Sequence, residues 1–378
     1  MLFRSTILIV ETGQGTVSNE DGEFRFKKVP AGKYTLRVQL LGYETQEKKV
    51  TVSNDFTVDV HFLMSDESIM TDEVVVSANR NETSRKVAPV VVNVMNAKLF
   101  ESVNSTDLAK SLNYQSGLRV ENNCQNCGYQ QVRINGLDGP YTQILIDSRP
   151  IFSALAGVYG LEQIPANMIE RVEVMRGGGS ALFGSSAIAG TINIITKEPV
   201  RNSAQFSHTL TGIGDASVFE NNTTMNASLV SDNQKLGLAV FGQNRERAGY
   251  DHDGDGFTEL PELKSQTVGM RSYIKTSDYS KVTVEYHHLQ EHRRGGDQLA
   301  LPPHEALIAE QLKHSINTGG VKFDLFSPDE KQRLGIYASA QHIDRDSYYG
   351  GGEDLQEKLK SYGNTTDMTW VAGAQYNY

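Results

Sequence analysis

Residues 131–150 read QVRINGLDGPYTQILIDSRP, and residues 161–199 read LEQIPANMIERVEVMRGGGSALFGSSAIAGTINIITKEP. Two apolar runs, Ile144-Leu145-Ile146 and Ile192-Asn193-Ile194-Ile195, end short strands. Between them the pattern predicts a short amphipathic helix around Pro165–Glu170 and a strand over Arg171–Met175. A glycine-rich turn follows, Arg176-Gly177-Gly178-Gly179-Ser180. Consecutive glycines open backbone angles closed to other residues. The turn lacks the G-x-x-x-x-G-K-[ST] spacing of a phosphate-binding loop.

This order of motifs resembles the plug domain of TonB-dependent outer-membrane receptors. The resemblance is carried by Val132-Arg133-Ile134-Asn135-Gly136, Ile144-Leu145-Ile146-Asp147, Ile164-Pro165, Ile169-Glu170-Arg171-Val172-Glu173-Val174, Arg176-Gly177, Ser180-Ala181-Leu182-Phe183-Gly184, Ala187-Ile188-Ala189-Gly190 and Ile192-Asn193-Ile194-Ile195-Thr196. It implies a mainly β chain in the cell outer membrane, built from a small β-sandwich, an α+β plug and part of an antiparallel transmembrane β-barrel.

Composition fits that reading. The 378 residues allow two or three domains, and a net charge of −10 argues against nucleic acid, which calls for a basic stripe. No run approaches the ~20 apolar residues of a membrane helix. A transmembrane barrel escapes that test, because its strands alternate apolar and polar residues. The start, MLFRSTILIVETG, holds one positive charge and a four-residue apolar run, short of a secretory signal. The expectation is a piece of a longer receptor, lacking a leader and most of the barrel.

Residues 1–64 show strand runs and turn residues at regular spacing, with strands at Glu23–Phe26, Lys33–Leu41 and Val58–Phe62, which predicts a small β-sandwich. The pattern GTVSNEDGEFRFKKVPAGKYTLRVQLLGYE resembles the carboxypeptidase-regulatory-like domain that precedes the plug in receptors of the Bacteroidetes type. Residues 65–85 lose the strand pattern and read either as a solvated linker or as a linker bearing a TonB box at Glu73-Val74-Val75-Val76. The resemblance implies the second. β-branched residues favour the extended geometry that adds a strand to a partner's sheet. Residues 86–200 are the expected plug, opening with Val87–Val94. A short helix follows within 104–112, with Ser105 or Thr106 able to cap it.

From residue 201 onward the period is two. Leu236, Leu238 and Val240 alternate with Gly237, Ala239 and Phe241; Val282, Val284 and Tyr286 alternate with Thr283, Glu285 and His287. Trp370, Ala372, Ala374 and Tyr376 alternate with Val371, Gly373 and Gln375. One face suits lipid and the other a wet lumen. Connections alternate between short (231–234, 277–280, 327–331) and long (248–263, 293–314, 345–366), apart from a brief first hairpin near 212–215. That sorting fits short periplasmic turns and long outer loops, and predicts about eight strands over 201–378.

Three groups invite chemistry. Asp251 to Glu262 fits D-x-[DN]-x-[DN]-G-x₅-E, with Asp251, Asp253, Asp255, the Phe257 carbonyl and Glu262 as ligands for a structural Ca²⁺. The alternative is a solvated acidic loop. The flanks are strands, so this is no EF-hand, but the stretch resembles the calcium loop of outer-membrane cobalamin receptors. Cys124 and Cys127, the only cysteines, read as a local disulfide or as a contact to ligand or metal. His287, His288, His292, His304 and His314 gather around the third outer loop, as solvated histidines or as haem or metal contacts. A short helix over Pro303–Lys313 and the stretch Tyr348-Tyr349-Gly350-Gly351-Gly352 in the fourth loop, a flexible tip or a contact to ligand, complete the outer face.

The resemblance implies active transport of a metal chelate (ferric siderophore, haem or cobalamin), driven by the TonB complex of the inner membrane. It also implies an apolar face to outer-membrane lipid, and a surface lipoprotein is a further candidate partner. Arg133, Glu173, Arg176 and Gly177 are the expected gating positions, the three charged ones as plug–barrel contacts. The other reading is an outer-membrane binding or adhesion receptor without transport. No triad, zinc motif or nucleotide loop points to an enzyme, so no catalytic residue is expected.

Overall fold

The computed structural model describes residues 5–19, 21–40, 43–53, 57–64, 74, 75, 77, 83, 84, 90–103, 105–124, 128–149, 162–184, 186–329 and 331–378. Two compact units divide between Glu73 and Val74.

In the first unit, β1 (Thr6–Ile9), β2 (Gln14–Val17), β3 (Gly32–Leu40) and β4 (Tyr43–Val52) form an antiparallel sheet in the order β2-β1-β3-β4. Ile7, Ile9, Leu36, Val38 and Phe62 form its core, with Phe24 and Phe26 packed against it. The expected strands at 23–26 and 58–62 are not strands. These segments lie outside any ladder and pack Phe24, Phe26 and Phe62 into the core. Phe24 meets Phe26 edge-on at 6.2 Å between ring centres. Period-two alternation records which side of an extended chain faces inward, and a covering layer gives the same pattern as a paired strand.

The second unit opens with β5 (Val74–Val75), paired with β6 (Thr83–Ser84). Then come β7 (Val92–Asn96), α1 (Ala97–Ser102), α2 (Leu108–Leu112), the hairpin β8 (Leu118–Cys124) and β9 (Tyr129–Ile134), β10 (Thr142–Ile146), β11 (Ile169–Arg176) and β12 (Gly190–Thr196). The plug sheet runs β10-β12-β11-β7, with β10 and β12 parallel and the rest antiparallel. One face carries Ile144, Ile146, Val172, Val174, Ile192 and Ile194 into the main core, against Leu108, Leu112 and Phe100. The expected helix around 165–170 is a single 3-10 turn, Ala166–Met168. Asp107 caps α2 by accepting the Lys110 N–H at 3.1 Å, while Ser105 Oγ donates to the Asp107 carbonyl instead of capping. Gly190 permits the closest approach in the sheet, since a Cβ there would lie 2.3 Å from the Met175 carbonyl oxygen.

Eight antiparallel strands follow in sequential order: β13 (Ser203–Ile213), β14 (Val218–Val230), β15 (Leu236–Arg247), β16 (Glu262–Ser277), β17 (Ser280–Gly296), β18 (Ile308–Phe326), β19 (Arg333–Gly351) and β20 (Tyr362–Asn377). Leu236, Val268, Met270, Ile274, Val284, Val321, Ile336 and Trp370 share the exposed apolar face. The opposite face presents Gln243, Arg245, Glu291 and Arg293, all buried, and Phe241 packs into the plug core. Among the described residues no helix is long and apolar enough to cross a membrane.

The outer loops are shorter than their expected bounds. β17 and β18 run on to Gly296 and from Ile308, and β19 and β20 run on to Gly351 and from Tyr362. Ile308–Lys313 is therefore strand, and the expected helix over 303–313 does not form. Tyr348 and Tyr349 lie in β19, with Tyr348 fully buried. There Ala309 and Tyr348 pack together with Ala306 in a small buried cluster while the backbone ladder continues.

Candidate functional site

The plug meets the inward face of the eight-stranded wall through charged pairs. On the β14–β15 side, Arg245 Nη1 lies 2.8 Å from Asp107 Oδ2 and Nη2 lies 3.0 Å from Glu220 Oε2. Lys110 of α2 reaches Glu220 at 3.2 Å. Gln243 donates to the Thr106 carbonyl at 3.0 Å, and Asn167 donates to Asn226 and to the Gly242 carbonyl. Nearer the outer loops, Arg293 pairs with Glu162 and Glu291 and donates to the Gly128 carbonyl at 3.1 Å. This ties the β8–β9 hairpin to the wall. Cys124 Sγ of that hairpin lies 3.0 Å from Glu310 of β18.

A third contact is the turn after β10. Asp147 pairs with Arg271 of β16, and Arg149 with Glu285 of β17. Arg271 also reaches Glu198 at 3.1 Å, and Lys281 reaches Glu198 at 3.3 Å. A cavity of about 300 Å³ beside this turn is lined by Asp147, Glu198, Arg271, Lys281 and Glu285. Burial would raise the Asp147 carboxyl, but the Arg271 and Arg149 guanidinium groups and hydrogen bonds from Thr196 outweigh it and hold it below the usual range. Glu198 is likewise held low, with burial overcome by Lys281 and Arg271. Breaking such pairs costs more than making them gains, because the abandoned charge stays buried.

The expected gating residues lie elsewhere. Among the described residues, Arg133 pairs with Glu121 and Asp138, both on the plug. Arg176 donates to the Ser116 carbonyl. Glu173 is fully buried and bonds Ser77 and Arg171. Gly177 turns the chain at φ +79°. Their described partners are all intra-plug, and Asp107, Asp147, Arg149 and Glu198 make the wall contacts in their place. On the wall side a sequence signal existed, since Arg245, Arg271, Glu285 and Arg293 all occupy inward-facing positions.

Of the expected TonB box, Glu73 and Val76 lie outside the described residues. Val74 and Val75 form β5, and Val75 is buried against Val92. Cys127 is also outside them, so the structure does not test the disulfide.

The acidic loop regroups the expected ligand set. Carboxylate oxygens of Asp251, Asp253 and Glu259 lie within 4.8 Å of one another. Asp255 instead accepts the Phe257 N–H at 2.8 Å, and Glu262 begins β16 and pairs with Lys264 at 2.7 Å. Gly254 (φ +77°) and Gly256 (φ +92°) permit the turn, and Asp251 accepts the N–H groups of both. Hard oxygen donors on a solvent-facing loop suit Ca²⁺, so the Asp251, Asp253 and Glu259 trio fits that ion in chemistry. The histidines do not gather. His288 bonds Asn317, His292 bonds Gln311, His304 bonds Tyr362 and His314 lies against Glu291.

Comparison with known proteins places these features. Residues 84–191 match the TonB-dependent receptor plug domain, and residues 2–76 match the CarboxypepD_reg-like domain. The vitamin B12 transporter BtuB of Vibrio vulnificus is 35% identical over 137 residues, covering 36% of this chain and 22% of that protein. The ferric enterobactin receptor PirA of Pseudomonas aeruginosa is 27% identical over 224 residues, covering 55% and 30%. Among solved structures, the siderophore receptor PirA of Acinetobacter baumannii superposes with a TM-score of 0.59 at 19% identity, covering 75% of this chain and 44% of that one. The ferric citrate transporter FecA superposes with a TM-score of 0.63 at 12% identity, covering 81% and 47%. These matches span less than half the length of each of these relatives.

Proposed function

We propose that the chain is a TonB-dependent outer-membrane receptor that carries a metal chelate across the outer membrane by active transport, with the plug as gate. The observation behind this reading is a folded plug held against the inward wall by buried ion pairs, with an extended valine segment, Val74–Val75, at its leading edge. A gate must be stable when shut and must have a handle. The ion pairs hold it shut, and the handle is a strand-forming segment that a partner can pair with through backbone hydrogen bonds.

In this reading the TonB complex of the inner membrane pulls on residues 73–76, and the plug shifts from the wall. The exposed apolar strand faces lie against outer-membrane lipid. A surface lipoprotein is a further partner of the outer loops. No reaction is catalysed. The named ligands of the relatives, vitamin B12 and ferric enterobactin, define the candidate chelates, with haem a third. Ca²⁺ held by Asp251, Asp253 and Glu259 would brace the second outer loop.

Deleting residues 74–76 tests the reading. Uptake of cyanocobalamin, haemin or ferric enterobactin by cells carrying the intact receptor should collapse while surface binding survives. Undiminished uptake would remove the TonB-box assignment of residues 73–76, whereas surface binding with no uptake even by the parent would favour the alternative, a binding or adhesion receptor, against which the plug itself counts, because an adhesin needs no gate. Titrating the same three compounds with and without calcium separates a corrinoid site braced by the acidic loop from a calcium-independent iron-chelate site.

A further inference from the structure

The ladder from β16 to β20 carries two polar rows on its outward face, above the apolar band. Register sets Lys264, His292, Lys313, Asp346 and Asn364 side by side across these strands. Two residues nearer the band, Gln266, Gln290, Ser315, Asp344 and Thr366 form the second row. Side chains two apart on a strand share a face, so both rows stand on the side of the exposed Val268, Met270 and Trp370. Together they line a groove of about 590 Å³.

The groove has a roof. The next row up, Arg294, Gln311, Tyr348 and Tyr362, has the same phase, yet Arg294 and Tyr348 are buried. The chain between β17 and β18 folds back over them. Arg294 Nη2 donates to the Asp297 carbonyl at 3.1 Å, His304 Nδ1 lies 2.7 Å from the Tyr362 hydroxyl, and Ala306 packs on Tyr348. Lys358 fixes that chain from the neighbouring loop, donating to the Ala306 carbonyl at 2.8 Å. A shelf of loop therefore stands above the two rows, and the apolar band lies below them. Within the rows Asp346 accepts from Asn364 at 2.8 Å, Asp344 accepts from Thr366 at 2.9 Å, and Lys264 pairs with Glu262 at 2.7 Å. Lys313 is exposed and has no carboxylate partner among the described residues.

Height selects the occupant. Lys264 stands six residues above Met270 on β16. At ~3.4 Å per residue and a tilt of about 40°, that is ~15 Å along the membrane normal. The polar layer of a bilayer is roughly 5–8 Å thick on each side, so the phosphate of an ordinary phospholipid stops short of the lysines. A phosphate carried on a sugar reaches them. We propose that the groove holds the phosphorylated sugar headgroup of a glycolipid in the outer leaflet. Its phosphate meets Lys313 and Lys264, its sugar hydroxyls bond the lower row, and its acyl chains lie on the apolar band. Amide, hydroxyl and carboxylate groups in one row suit sugar hydroxyls, which both donate and accept. The proposal rests on the reading of the apolar strand faces as lipid-facing.

Titrating the intact receptor in detergent with bisphosphorylated lipid A, the same lipid stripped of phosphate, and phosphatidylglycerol tests the groove. The parent should bind the phosphorylated glycolipid at least tenfold more tightly than either of the others. Lys313→Gln and Lys264→Gln should each weaken that binding about tenfold, the effect of losing roughly one charge-assisted hydrogen bond. Lys235→Gln, in the turn before β15 at the other end of the wall, should leave it unchanged. Undiminished affinity in the two lysine variants, or equal binding of phosphatidylglycerol, overturns the proposal. So does a lipid-free dimer that those variants dissociate, which would make a second copy of the chain the occupant. Insertion into phosphatidylethanolamine vesicles is the separate readout, and parent and variants alike should insert. Failure of the parent to insert would remove the lipid-facing reading and the proposal with it; insertion without headgroup preference would remove the proposal alone.

Discussion

Replacing Arg245 with Met tests whether the β14–β15 clamp works by charge. Arg245 is 2% exposed and satisfies two buried carboxylates, Asp107 and Glu220. Their losses differ. Glu220 keeps Lys110 at 3.2 Å and Arg247 at 3.3 Å. Asp107 keeps only hydrogen bonds, from the Lys110 N–H at 3.1 Å and Thr106 Oγ1 at 3.2 Å. Removing one partner of a buried pair costs about 3–5 kcal/mol, nearly all of it from the charge left behind. With one carboxylate stranded and still hydrogen-bonded, the low end applies, about 3 kcal/mol. Exchange of the α2 amides, Leu108–Leu112, reads this locally, with acceleration of roughly a hundredfold. Adding Asp107→Asn removes the stranded charge. It should restore about half or more of the lost protection, so that the double variant is more stable than Arg245→Met alone. Additive losses in the cycle would refute the reasoning, leaving Arg245 as packing instead of a counter-charge.

Gly190→Ala places a Cβ 2.3 Å from the Met175 carbonyl oxygen, so β11 and β12 must part; folded yield and thermal midpoint should fall, at a cost of about 3 kcal/mol or more. Asp147 titrates below its ordinary value in the folded plug, so its contribution is complete above about pH 4 and is lost as pH falls through the depressed folded value. Exchange of the 147–149 turn should therefore accelerate in acid, and Asp147→Asn should flatten that dependence. In calcium titrations of the intact receptor, Glu259→Gln should weaken binding at least tenfold while Glu262→Gln has little effect; the reverse order would restore the motif's own ligand set.

The strand phase from β13 to β20 was legible in the sequence because alternation follows from the pleat alone, one residue at a time. The plug motifs were legible for a similar reason: Ile144–Ile146 and Ile192–Ile194 bury one face whatever they contact. Asp107 displaced Ser105 and Thr106 as the cap because its other oxygen also meets Arg245, a demand set 138 residues away. Glu259 replaced Glu262 beside Asp251 because β16 begins at Glu262 and holds it against Lys264. Glu173, marked by its charge as a wall contact, is instead buried within the plug, where it accepts from Ser77. The sequence by itself determined which elements form and which side of each is wet or dry, since periodicity and turn chemistry are local. Only the tertiary structure decided which charge meets which, because a guanidinium finds its carboxylate by sheet register and by packing across more than a hundred residues, and neither leaves a periodic trace.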